Sequence, residues 1–154
     1  MHRFYSDPEV TRYLDWVSHS VENSRFFIRW FKEGYRKKNA LRWGVTPRDG
    51  DQVIGTIGYH DFYLHSRAEL SYELTRSRWN QGIVSEALEV VIPFGFQALN
   101  LHRIQAWTFP ENSTSIHLLQ KFRFQEEGLM REYVHLWHKK TWADVRMFAR
   151  LRSD

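Results

Sequence analysis

The residues with the clearest chemical potential are Arg78-Trp79-Asn80-Gln81-Gly82-Ile83-Val84-Ser85-Glu86-Ala87-Leu88. They follow a strand-like run at 68–75 and open an apolar helical run at 83–99. A strand that ends in a tight loop and feeds a helix gathers free backbone N–H groups at one point. Helix polarity adds about half a positive charge there. Such a turn can cradle a phosphate. Gly82 has no Cβ, so an anion can approach the main chain closely. The loop lacks Gly-x-Gly-x-x-Gly and Gly-Lys-Ser/Thr, which separates it from dinucleotide and P-loop sites.

Two carboxylates lie just upstream. Strand alternation sets Glu69 and Glu73 on one face, with Ser71 between them. His60-Asp61 and His65 invite a metal or acid–base reading. The remaining histidines are scattered, no His-x-x-x-His pair occurs, and cysteine is absent, so no metal is expected.

The elements that must position these residues follow from periodicity. Asp7-Pro8 reads as a helix cap and first position, with Val10, Tyr13, Leu14 and Val17 at helical spacing. Ser20 caps a second helix whose apolar face is Phe26, Phe27, Trp30 and Phe31. Residues 41–46, 52–62 and 68–75 read as a three-strand meander with a turn at 47–51. The helix at 83–99 shows Val84, Leu88, Val91 and Gly95 on one face, and Pro93 interrupts its hydrogen bonding. A strand at 103–109 follows, then a helix capped by Asn112, then strands at 124–137 and 141–151. The order α-α-β-β-β-α-β-α-β-β predicts an α/β (α+β) layer fold with one crossover helix.

The chain has 154 residues, enough for one domain over 1–154 with a sizeable core. Seven Trp, seven Tyr and eleven Phe favour a packed globule over disorder. The first residues hold no apolar signal core, and the longest apolar runs are far too short to cross a bilayer. A cytoplasmic location, without membrane or nucleic-acid partners, is the expectation. The net charge of +4 suits an anionic small-molecule partner such as a nucleotide-type cofactor.

The order of elements and a series of short motifs resemble the GNAT superfamily of acyl-CoA N-acetyltransferases, and within it the RimJ/RimL branch of ribosomal-protein acetyltransferases. The motifs are Ser6-Asp7-Pro8-Glu9, Ile54-Gly55-Thr56-Ile57-Gly58, Ala68-Glu69-Leu70-Ser71-Tyr72-Glu73-Leu74, and Trp79-Asn80-Gln81-Gly82-Ile83-Val84-Ser85-Glu86-Ala87-Leu88. Leu101-His102-Arg103-Ile104, Pro110-Glu111-Asn112-Ser113-Thr114-Ser115 and Phe124-Gln125-Glu126-Glu127-Gly128 complete the set.

The resemblance implies a mostly antiparallel sheet that splays between the strand near Leu74 and the strand near Ala106, with acetyl-CoA in the wedge. It implies that backbone groups of Leu74 and Thr75 pair with pantetheine. The amides of Gln81, Gly82, Ile83, Val84 and Ser85 would hold the pyrophosphate, and Asn112 would reach the pantetheine side. Many superfamily members protonate the leaving thiolate with a tyrosine seven residues after that asparagine; Leu119 stands there. Ser115 matches the serine that takes this role in the RimL-like pattern. Glu69, then Glu73, are the candidate bases, drawing the amine proton through water. The carboxylate of the RimL-like scheme falls near Val134 and does not carry over.

The implied acceptor is a primary amine, first a protein N-terminal α-amine. With a pKa near ~8, against ~10.4 for lysine, that amine asks less of a base. A polyamine, an aminoglycoside or a silent CoA-binding module are the alternatives. The chain also lacks the family's first strand, so the strand at 41–46 is expected at an exposed edge, which favours a homodimer. Arg123 stands where the family has glycine, at a position that favours positive φ.

Overall fold

The computed structural model describes residues 2–64 and 66–154; Met1 and His65 lie outside the described residues. Two short helices open the chain: α1, His2–Tyr5, and α2, Pro8–Thr11. Asp7 caps α2, its side chain accepting from the Glu9 N–H at 2.9 Å. The helix does not continue to Val17 as its spacing predicts. Thr11 Oγ1 donates to the Asp7 carbonyl at 3.0 Å, and Leu14 N–H closes a tighter turn onto Thr11. Trp16 then swings between Tyr5, at 4.3 Å, and Phe27, so aromatic packing overrides the local period.

Helix α3, Val21–Arg36, is capped by Ser20, which accepts from Asn23 N–H at 3.1 Å. Its inward face is Ser24, Phe27, Ile28, Phe31 and Gly34, a run at i, i+3, i+4, i+7 and i+10. The predicted apolar face is therefore corrected. Phe26 and Trp30 point to solvent, 55% and 50% exposed, because they lie beside that stripe rather than on it.

Strands β1 (Ala40–Val45), β2 (Gly55–Tyr63) and β3 (Arg67–Leu74) form the antiparallel meander. Helix α4 (Ile83–Gln97) crosses over to β4 (Arg103–Thr108); helix α5 (Ser113–Lys121) leads to the β5 (Gln125–Leu136) and β6 (Thr141–Leu151) hairpin. The sheet order is β1-β2-β3-β4-β6-β5, and β3 with β4 is its one parallel pair. β1 is an outer strand, as predicted.

α4 runs on through Pro93 and buries Leu88, Val91, Ile92 and Gly95. These pack with Tyr59, Ala68, Leu70, Ile104, Leu119 and Phe148. Gly95 is required here: a Cβ would stand 2.5 Å from the Tyr59 hydroxyl, which donates to the Val91 carbonyl at 2.8 Å. So β3 turns Ala68 and Leu70 toward α4.

The opposite face of β3 carries Glu69, Ser71 and Glu73, the last of them against Tyr5 of α1. Arg42 of β1 pairs with Glu73, and its Nε donates to Thr56 Oγ1 at 2.9 Å. Tyr5 donates to the same carboxylate, and Thr56 Oγ1 does so at 3.0 Å. The Arg42 and Glu73 side chains are each 8% exposed. This buried knot ties α1, β1, β2 and β3 together.

Removing the cation leaves Glu73 uncompensated in a desolvated place. Arg42→Ala should cost about 3–5 kcal/mol of unfolding free energy. Guanidinium denaturation checks this. The apolar double replacement Arg42→Met with Glu73→Leu should cost less than Arg42→Ala alone; an equal or larger loss would refute the account.

Candidate active site

The sheet divides between β3 and β4. These parallel strands pair only at Arg67↔Arg103, Ala68↔Ile104 and Glu69↔Gln105. Beyond Glu69, β3 stays with β2 as far as Gly55↔Leu74. β4 stays with β6 as far as Thr108↔Arg146. Each strand keeps its outer partner while their facing edges part, which leaves a wedge widening toward both strand C-termini. Two helix N-termini, of α4 and α5, follow those strand ends.

The turn into α4 carries the glycine loop. Gly82 is its N-cap residue with φ +77°, a left-handed conformation suited to glycine. Nothing lies within 4 Å of where its Cβ would be, so the space before it is open. The first intrahelical amide to find an acceptor is Glu86 N–H, on the Gly82 carbonyl at 2.9 Å. Among the described residues, no protein acceptor takes the amides of Gln81 to Ser85. The Gln81 carboxamide folds back onto the Ser77 carbonyl, and Ser85 Oγ accepts from Lys121 Nζ at 3.4 Å. A bare helix N-terminus with open space before it suits a phosphate.

Leu74 and Thr75 end the β3 wall. Thr75 N–H donates to the Ile54 carbonyl at 2.7 Å, and Trp79 Nε1 donates to the Leu74 carbonyl at 2.8 Å. A carbonyl keeps a second lone pair for another donor.

Across the wedge, Asn112 caps α5: its Oδ1 accepts from Ser115 N–H at 3.2 Å. That engages the oxygen; among the described residues, no protein acceptor takes the carboxamide N–H groups. The Ser115 hydroxyl meets the Tyr72 hydroxyl at 2.7 Å. Burial pushes the Tyr72 phenol up to about 12, so it is protonated at neutral pH. This Tyr72–Ser115 bond spans the gap from β3 to α5. The sequence reading names Tyr72 within its strand motif but gives it no role. Alternation alone sets it on the face opposite Glu69 and Glu73; its partner on α5 depends on the crossover.

The two carboxylates of β3 have different surroundings, and neither is a solvated strand residue. Glu73 belongs to the buried knot with Arg42, Tyr5 and Thr56. Glu69 sits where the strands begin to part. Its Oε2 accepts from Gln105 Nε2 at 3.4 Å, and His60 Nε2 stands 3.8 Å from Oε1. Burial raises the Glu69 pKa above the ordinary carboxylate range, opposed by His60 and Gln105. The structure thus brings Glu69 to His60 and Asp61, which the sequence had singled out together; His65 lies outside the described residues.

A separate open groove of about 1100 Å³ lies between α1, α3 and the exit of β3, lined by Phe4, Arg25, Ile28, Thr75, Arg76 and Arg78 among others. Of the predicted site residues it touches only Thr75. The strand divergence and the bare amides, rather than that groove, mark the chemistry. Arg123 has φ 62°, as the position requires.

A mixed sheet split at its parallel pair, with a bare helix N-terminus at the mouth of the split, defines an acyl-CoA-dependent transferase architecture. The model of the acetyltransferase (GNAT) domain matches residues 1–125, and the chain belongs to the GNAT acetyltransferase family. It is 41% identical over 133 residues to an uncharacterized N-acetyltransferase, YoaA, of Bacillus subtilis (strain 168), covering 85% of this chain and 75% of that one. A GNAT-family acetyltransferase of Bacillus anthracis superposes with a TM-score of 0.86 at 25% identity, over 100% of this chain and 88% of its own. RimJ of Mycobacterium smegmatis, solved with CoA-disulfide, gives 0.78 at 27% identity over 88% and 64%. More distant relatives from Escherichia coli (strain K12) are a spermidine N(1)-acetyltransferase, 27% identical over 75% of this chain and 70% of its own, and a ribosomal protein uS5-alanine N-acetyltransferase, 26% identical over 66% and 54%. The chain is accordingly an acetyl-CoA-dependent N-acetyltransferase. Among the described residues no helix is long and apolar enough to cross a membrane.

The cap and the carboxamide of Asn112 are separable. Asn112→Ala should lower stability by about 1 kcal/mol through loss of the α5 cap, whereas Asn112→Asp keeps an accepting oxygen and should be near neutral. Thermal denaturation of both variants checks this.

Proposed function

We propose that residues 1–154 act as one N-acetyltransferase domain that acetylates a cationic primary amine, first a protein N-terminal α-amine. The observation that carries the reading is the wedge between β3 and β4 below the unpaired amides of Gln81, Gly82, Ile83, Val84 and Ser85. Acetyl-CoA supplies the acetyl group as a thioester.

Those five amides bind the diphosphate. Main-chain groups of Leu74 and Thr75, with the free carboxamide N–H of Asn112, align the pantetheine arm along the opened edge. Glu69, poised by burial at the vertex, accepts the amine proton. The amine nitrogen bonds to the acetyl carbon as the C–S bond breaks; Ser115, held by Tyr72, gives its hydroxyl proton to the departing thiolate and regains one from the second N–H of the attacking amine. Glu73, the second candidate base, is assigned instead to the knot that holds β3 to its neighbours.

A second acceptor class has its own support. Asp15, Asp61 and Glu69 gather around His60, a local acidity suited to a polyamine. Relatives of both kinds exist: one acts on spermidine, the other on the alanine terminus of a ribosomal protein.

Thiol release from acetyl-CoA, measured with Ala- and Ser-terminated peptides and with spermidine, tests the reading and ranks the acceptors by kcat/KM. Ser115→Ala should lower kcat by about 10²-fold or more with little change in CoA affinity. Wild-type turnover in that variant, or no CoA binding by titration calorimetry, would sink the assignment.

The pH profile tests the base. A carboxylate must be ionised to accept a proton, and burial holds Glu69 above its ordinary value. The kcat/KM should therefore rise with pH through a limb displaced upward from the normal carboxylate range. Glu69→Gln should lose about 10²-fold or more in rate and retain only the acceptor's own limb, near ~8 for an α-amine.

A further inference from the structure

A base that is nearly sealed must be emptied of its proton after each turnover. The Glu69 side chain is 8% exposed, boxed in by Gln105 and by the neighbouring strand. A polar path outward runs through His60, which is paired directly across from Glu69 in the β2–β3 register. The His60 side chain is 21% exposed, and that of Asp61 is 79% exposed. His60 Nε2 faces Glu69 Oε1 at 3.8 Å, while His60 Nδ1 lies 2.9 Å from Asp61 Oδ2. The two carboxylates therefore approach opposite nitrogens of one ring.

The backbone favours this arrangement. The β2–β3 register shifts just after His60, and Asp61 has φ 50°. The irregularity turns Asp61 back beside the ring of its own neighbour, where regular alternation would send the two side chains to opposite faces. The Asp61 carboxylate accepts from Nδ1, which fixes the ring proton on Nδ1 and turns the Nε2 lone pair toward Glu69.

We propose that His60 and Asp61 form the exit for the amine's proton, with His60 taking it from the Glu69 carboxyl at Nε2 while its Nδ1 proton passes to Asp61 and on to water. This rests on the reading of Glu69 as the amine base. The balance is closed. One proton leaves the ammonium, one N–H bond forms at Nε2, one breaks at Nδ1, and one proton enters solvent. Exchange with water restores the starting tautomer. Transfer across the 3.8 Å interval requires rotation of the Glu69 carboxylate toward Nε2.

Ligand atoms of His60, Asp61 and Glu69 come within 4.8 Å of one another, a spacing that also admits a metal ion. A ring held between two carboxylates, rather than beside them, favours the relay. The charged and titratable groups around it are Asp15 before α3, Asp61 on β2, Glu69 on β3 and Tyr133 on β5. Arg67 acts on Tyr133, and His138 acts on Asp15.

The test compares His60→Ala, Asp61→Asn and Glu69→Gln in the acetyl-transfer assay, with melting curves to confirm folding and His60→Gln as the isosteric control. His60→Ala should lose about tenfold to hundredfold in kcat with KM for the amine little changed, and millimolar imidazole should restore a large part of it. Asp61→Asn should show a smaller loss and a rate that depends on buffer concentration. Wild-type kcat in His60→Ala, alongside an impaired Glu69→Gln, overturns the relay and leaves the base reading standing. A loss that neither imidazole nor buffer relieves marks a structural role and also overturns it. An active Glu69→Gln removes the base reading and the relay together. Activity abolished by chelation and restored by a divalent metal alone would make the cluster a metal site and reject the relay.

Discussion

The structure depends on a parallel contact that is abandoned after three residue pairs. Parallel pairing is somewhat weaker per residue than antiparallel pairing, and here it is the pair that gives way. Each strand that leaves it is held from behind. β4 is bound to β6 through six paired positions, and β3 is bound to β2 up to Leu74. The Arg42–Glu73 pair reinforces the β3 side, since it fixes the last turn of that strand to β1 and α1. Without these anchors two bare edges would close on each other, because unpaired backbone groups in a protein interior are costly. The opened edge is thus maintained by interactions that lie behind it.

Alternation along β3 divides the chemistry between two faces. Glu69 and Glu73 share one face, where Glu73 meets Tyr5 of α1 and Glu69 meets His60 of β2 and Gln105 of β4, whereas Tyr72 faces α5. Burial acts on both faces and keeps protons where each group can use them. It raises Glu69, which makes its carboxylate a stronger proton acceptor. It raises Tyr72 to about 12, which keeps the phenol protonated in its hydrogen bond with Ser115. A proton acceptor and a proton donor on opposite sides of one opened strand match a reaction in which one group loses a proton and another gains one. Glu73, two residues from Glu69 on the same face, has its oxygens committed to Arg42, Tyr5 and Thr56. Equal spacing along a strand did not give equal roles.

What was legible in the sequence was local. Asp7, Ser20 and Asn112 announced helix starts because a cap is formed within three residues. The glycine loop and the positive φ of Arg123 were readable for the same reason. The order of strands in the meander and in the last hairpin followed from period and turns. What failed or went unseen depends on distance along the chain. The fate of Glu73 is set by Arg42, 31 residues away, and by Tyr5, 68 residues away. The partnership of Tyr72 with Ser115 spans 43 residues and passes through the crossover. The helix read from Val10 to Val17 lost to the packing of Trp16 between Tyr5 and Phe27, which no window of neighbouring residues contains.

The distribution of charge completes the argument. The chain is positive overall, at +4, and Arg76 and Arg78 stand in the segment that leads to Gly82. Asp15, Asp61 and Glu69 gather instead around His60. A positive whole-molecule field attracts an anion from a distance, whereas a short-range acidic cluster acts within about one Debye length, roughly 8–10 Å at ordinary salt. An anionic acetyl donor and a cationic acceptor are therefore drawn by fields of opposite sign and different reach. Glu69 then has two partly conflicting tasks, since the charge that attracts an ammonium is lost once its proton is taken. An outlet through His60 resolves the conflict, because discharging that proton restores the carboxylate for the next acceptor.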